Sequence, residues 1–140
     1  MIRSIGALIA GIVMAFASIY LIEKLGHMIY PPPADLDFSD PEAIRPYIAT
    51  MPIIALLFPM FGWFVGAFAG SLIADFFGDA KPYVFAGIVG GLVLADTIAD
   101  LIITPHPLWF SITSLIGIVA SAWLATRITI TGSSSRNPSE

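Results

Sequence analysis

The sequence predicts an all-α polytopic membrane protein: a four-helix transmembrane bundle with a short interfacial helix in its first long loop. Three observations lead there. The 140-residue chain is 57% hydrophobic and only 11% charged, against about 25% charged for an ordinary soluble domain, and its mean hydropathy is +0.89. Its apolar residues gather into four stretches with few or no charges: Ser4 to Ile22, Pro52 to Phe77, Pro82 to Thr104, and Leu108 to Thr126. A helix rises about 1.5 Å per residue and the hydrocarbon core is about 30 Å thick, so roughly 20 apolar residues make one crossing and each stretch is long enough. The connections after the second and third stretches are too short to fold alone. Residues 1–130 therefore read as one membrane domain, with spans at about 4–27, 52–77, 82–104 and 108–129 and a loop at 28–51.

The first span opens with Arg3 and a small-residue triplet, Ala15-Phe16-Ala17, which resembles a secretory signal. The apolar run continues past that triplet to Ile22, so a retained transmembrane helix is expected instead. In the loop, Pro31, Pro32 and Pro33 predict a stiff polyproline II strut. Ser39 to Glu42 then has capping-box spacing, and Pro41 suits a first helical turn. A short helix should follow, broken or kinked at Pro46 and ending before Pro52. Ile44, Ile48 and Met51 would share one of its faces, to lie in the interface or over the bundle mouth.

Small residues recur every fourth position in the other three spans. Gly62, Gly66 and Gly70 form one ladder, Gly87 and Gly91 a second, and Gly117, Ser121 and Ala125 a third. Such ladders let helix backbones approach closely where lipid offers no hydrophobic driving force. They predict packing within the bundle or the seam of a homodimer. Gly66, Gly70, Ala74, Asp75 and Asp79 also match Gly87, Gly91, Ala95, Asp96 and Asp100 at an offset of 21 residues. Two readings stand: an inverted repeat of the transporter kind, or chance agreement between glycine-rich and alanine-rich segments. The tail, 131–140, is serine-rich, lacks large apolar side chains and is expected to be disordered.

Basic residues orient the spans. Arg3, Lys81, Arg127 and Arg136 fall on one side of a four-span topology, and Lys24 and Arg45 on the other, beside Asp35, Asp37, Asp40 and Glu42. The positive-inside bias then puts both termini in the cytoplasm. Trp109 would sit at the outer interface and Tyr83 at the inner one. A formal charge of −4, its acids concentrated in the first loop, argues against a nucleic-acid partner. The absence of cysteine excludes disulfides, thiolate metal sites and cysteine catalysis.

Few ionisable residues remain in the spans, and those carry the functional expectations. An aspartate near a helix centre costs about 2.5–3.5 kcal/mol on insertion scales, so Asp96 and Asp100 are functional pointers. Four residues apart, they share one helix face, suited to a proton relay or a cation site. The alternative is simple hydrogen bonding to a neighbouring helix, with Thr97 or a serine of the fourth span as partner. Glu23 and His27 share a face at the outer end of the first span, level with Asp100 and the Pro105-His106-Pro107 turn. A cluster of Glu23, His27, Asp100 and His106 follows, and its ligand types would suit a zinc-like divalent metal. The competing expectation is a hydrogen-bonded or ion-paired helix end with no cofactor. His106, fixed between two prolines, is expected at the outer surface. Asp75 and Asp79 are accounted for by headgroup solvation or pairing with Lys81.

Glu23-Lys24-Leu25-Gly26-His27, Tyr30-Pro31-Pro32-Pro33 and Pro105-His106-Pro107-Leu108-Trp109 resemble the motifs of an uncharacterised family of small bacterial inner-membrane proteins with four spans. The resemblance implies fold and location and carries no activity. The expected function is non-enzymatic: binding or conduction of a proton or small cation through an outward-facing pocket lined by Glu23, His27, Asp96, Asp100 and His106. The alternative is a non-catalytic accessory or assembly subunit of a larger membrane complex. The expected partners are the lipid bilayer and either a second copy or that complex.

Overall fold

In the computed structural model, which describes residues 2–78 and 81–134, the chain is all helix and connecting loop. Five helices follow in order: α1 (Ile2–Ile29), α2 (Pro41–Thr50), α3 (Ile53–Phe77), α4 (Pro82–Ile103) and α5 (Leu108–Ser134). Four of them are long and apolar enough to cross a membrane, and α2 lies between the first two of these. The protein is thus a polytopic, multi-pass membrane protein in contact with the lipid bilayer.

Helix α3 is the central element, packed by α1, α4 and α5. Backbones nearly touch along α1 and α3. A Cβ built on Gly11 would stand 2.6 Å from the Gly70 carbonyl oxygen, and one built on Gly66 would stand 2.7 Å from the Ala15 carbonyl oxygen. Gly62 likewise faces Ile19, so the first predicted ladder packs within the bundle, onto a matching series of small α1 residues, Ala7, Gly11 and Ala15. Gly117 packs under the Phe64 ring, and Ala125 is fully buried. The second ladder behaves differently. A Cβ built on Gly87 or Gly91 would meet nothing within 4 Å among the described residues, and the packed glycine of that helix is Gly90, against Ala122. The two halves of the 21-residue correspondence therefore do different work.

Local chemistry sets the helix ends. Asp40, one residue beyond the expected Ser39, caps α2, its carboxylate accepting the Glu42 amide at 3.0 Å, with Pro41 at the first helical position. Pro46 lies inside α2, which runs through it unbroken. Ile44 and Ile48 are buried and Met51 packs on the same core, so α2 folds down over the mouth of the bundle. Arg3 donates its Nε to the Phe77 carbonyl at 3.2 Å, a cation on the carbonyl end of α3. Helix α5 continues to Ser134, past position 131 where the tail was expected to begin. The remainder of that tail, with Arg136, and Asp79 lie outside the described residues.

Candidate functional site

At the end of the bundle covered by α2, a cavity of about 370 Å³ opens between α1, α3, α4 and the α4–α5 turn. Glu23 and His27 enter it from α1, Asp100 from the last turn of α4, and His106 from the turn itself. The four residues predicted to cluster at one depth do line one cavity. The register explains it. Gly26 lies against Phe58 and Ile22 against Gly62, which sets the last turns of α1 beside the first turns of α3. The α4–α5 turn closes the same end, because α4 runs antiparallel to α3.

Asp100 accepts a 3.4 Å hydrogen bond from the Thr104 hydroxyl. The His106 Nδ1 lies 2.9 Å from the Thr104 carbonyl and 4.0 Å from Asp100 Oδ2. A carbonyl only accepts, so Nδ1 carries the hydrogen and Nε2 is the nitrogen able to take a proton. The ring stacks on Phe110 with centroids 4.6 Å apart, and its side chain is 5% exposed, not presented at the surface as the proline-flanked turn led one to expect. Glu23 has the buried Trp63 indole as its hydrogen-bonding neighbour and lies within electrostatic range of Asp100 and Asp96.

Asp96 stands apart from the other four. It is exposed, one helical turn deeper than Asp100, and forms no part of the cavity wall. The inward polar face expected of the pair is therefore present only at Asp100. Thr97, a suggested partner for Asp96, is fully buried, and its hydroxyl has no hydrogen-bond partner among the described residues; the same holds for Ser114. Among the described residues, no group of three or more histidines and acids is arranged to hold a metal ion.

The aromatic part of the wall escaped the sequence reading. Tyr30, Phe38, Tyr47, Phe58 and Trp63 all line the cavity. Tyr30 and Phe58 meet at 6.3 Å, and Trp63 meets Phe110 edge-on at 5.6 Å. Burial pushes the Tyr47 phenol above its ordinary value, so it faces the cavity as a neutral group. Pro59, also in the wall, removes the amide that would otherwise bond the Ala55 carbonyl. The available signal was the Tyr30 and Tyr47 pair flanking the proline loop, but only the α2 fold-back brings them together.

A second polar centre lies at the opposite end. Asp75 is 6% exposed and accepts from the Ala86 amide at 3.0 Å and the Thr126 hydroxyl at 3.1 Å, with Thr129 as a further donor. Burial and these partners replace the headgroup solvation and Lys81 pairing expected from sequence. No family model, curated protein or solved structure matches the chain.

Proposed function

We propose that this protein binds, or passes across the membrane, a proton or small cation through the cavity under α2, without catalysing a reaction. One observation carries the reading: Glu23, His27, Asp100 and His106, drawn from three separate segments, line a single cavity. Ionisable side chains inside membrane spans are costly and mark ion or proton pathways. The charge pattern supports placing this cavity outside and both termini in the cytoplasm of a bacterial inner membrane. Arg3, Lys81 and Arg127 lie at the far end, and the acidic loop lies at the cavity end. The motifs around Glu23, Tyr30 and His106 support membership in the family of small four-span proteins they resemble.

The test is ion or proton uptake into vesicles reconstituted with the full chain. Glu23→Gln and Asp100→Asn are expected to reduce uptake or shift its pH dependence strongly, and Asp96→Asn, outside the wall, to do so less. Unchanged behaviour in the first two variants overturns the proposal. A second reading, an accessory subunit or homodimer, draws support from Gly87 and Gly91. They border an open α4–α5 groove with Val119 and Trp123, and a Cβ built on either would meet nothing within 4 Å among the described residues. Stoichiometric partners on native purification would favour it.

A further inference from the structure

We infer that the cation suited to this cavity is organic, an ammonium or amidinium head on an apolar body. The inference rests on the proposed cation-binding role and names the substrate class.

Three features of the wall separate an organic cation from a bare metal ion. First, charge in the wall is one-sided. Among the described residues, no lysine or arginine lines the cavity. Of the described basic side chains, Arg3 lies on the Phe77 carbonyl, Lys24 over the Tyr20 ring, Arg45 with Glu42 and Arg127 over Trp123, and Lys81 stands at the other end of the bundle, before α4. Glu23 and Asp100 thus face the cavity with no lysine or arginine among its described lining residues, beside the imidazoles of His27 and His106. Second, the rest of the wall cannot replace a metal ion's water. Calcium takes six to eight oxygens and magnesium demands an oxygen octahedron, whereas this wall offers no such cluster among the described residues. It offers aromatic side chains instead, Tyr30, Tyr47, Phe58 and Trp63. Aromatic faces attract ammonium and guanidinium groups through the ring quadrupole and recognise quaternary ammonium ligands in particular. Third, about 370 Å³ lies within the range of about 300–1,000 Å³ typical of small-molecule sites. An inorganic ion would leave most of it to apolar walls.

Equilibrium dialysis of the full chain in lipid nanodiscs tests this with labelled benzyltrimethylammonium and, separately, labelled sodium. We expect saturable benzyltrimethylammonium binding that neopentylbenzene, its uncharged shape-mate, does not displace. Glu23→Gln should weaken that binding by about tenfold, the loss of one charge-assisted contact. Tyr47→Leu should weaken it by about threefold while leaving sodium unaffected. Gel filtration shows whether each variant stays monodisperse, and the comparison of the three probes on the unaltered chain does not depend on any variant folding. Glu23-dependent sodium binding without benzyltrimethylammonium binding overturns the organic-cation inference and leaves the broader cation reading standing. Failure of both cations to bind overturns both. Displacement by neopentylbenzene shows that the cavity reads shape and not charge, which also overturns the inference.

Discussion

Asp75 at one end of the bundle and Glu23 with Asp100 at the other are acids in the same apolar setting, but their surroundings are opposite. Asp75 is buried under donors from two other helices, the Ala86 amide at the start of α4 and the hydroxyls of Thr126 and Thr129 on α5. Its carboxylate joins α3, α4 and α5, and the start of α4 adds the favourable end of a helix dipole. Asp100, by contrast, has one long hydrogen bond and a histidine 4.0 Å away, and it faces a cavity. The number of donors around an intramembrane acid thus separates an architectural carboxylate from one available to a ligand. The largest expected effect follows from this. Asp75→Ala removes the buried acceptor that ties the Ala86 amide and the Thr126 hydroxyl to α3, leaving the threonine hydroxyls only carbonyls of their own helix, and should cost about 3 kcal/mol, read as a lowered unfolding transition in detergent. An unchanged transition would remove the distinction between the two ends.

That contrast was only half legible in the sequence. The spans were plain because run length and composition decide membrane crossing without reference to any partner. Glu23, His27, Asp100 and His106 could be brought to one depth by counting residues along antiparallel helices. Asp75 could not be read correctly, because its hydroxyl partner Thr126 is 51 residues away and a nearer candidate, Lys81, was in view. His106 was misplaced for a similar reason. Flanking prolines fix a backbone, but the stacking of its ring on Phe110 depends on how α5 leaves the turn. The aromatic wall depends on α2 folding back, which Ile44 and Ile48 hinted at without showing what lay beneath.

Glycines make the same point about packing, at somewhat smaller cost. Gly70 and Gly91 are equivalent in the 21-residue correspondence, yet a Cβ on Gly70 would lie 2.6 Å from both Ala15 Cβ and the Gly11 carbonyl, while Gly91 faces nothing within 4 Å. A small-residue ladder marks a smooth helix face; it does not say what lies across from it. Gly70→Ala must push α1 away from α3 and is expected to destabilise by about 2 kcal/mol. Gly91→Ala is expected to stabilise by up to about 1 kcal/mol through helix propensity alone. Equal effects in thermal melts of the two variants would show that the α1–α3 contact is not the tight one.

Between the two ends, Thr97 and Ser114 occupy α4 and α5 at matching depth. The contact of Gly90 with Ala122 fixes the antiparallel register of these helices, and counting outward from it brings position 97 opposite position 115, one residue from Ser114. Both hydroxyls are buried with no hydrogen-bond partner among the described residues, a burden with no return in hydrogen bonding. Thr97→Val keeps the shape and removes the hydroxyl, so it should raise stability by about 1 kcal/mol. A loss of stability would show that the hydroxyl is satisfied in the bilayer and belongs with Asp75 among the structural groups.

The smallest expected change in stability is at the cavity itself. Glu23→Gln and Asp100→Asn keep side-chain volume, and each amide retains an oxygen for its neighbour, Trp63 or Thr104. Neutralising either group also relieves repulsion, since Glu23, Asp100 and Asp96 lie within electrostatic range of one another. Loss of a weak hydrogen bond and relief of like-charge repulsion oppose each other, so the net shift should stay within about 0.5 kcal/mol. The same substitutions are the ones expected to change cation binding most. If instead they destabilise the bundle as much as Asp75→Ala does, then Glu23 and Asp100 are structural ties, and the two ends of the molecule are alike after all.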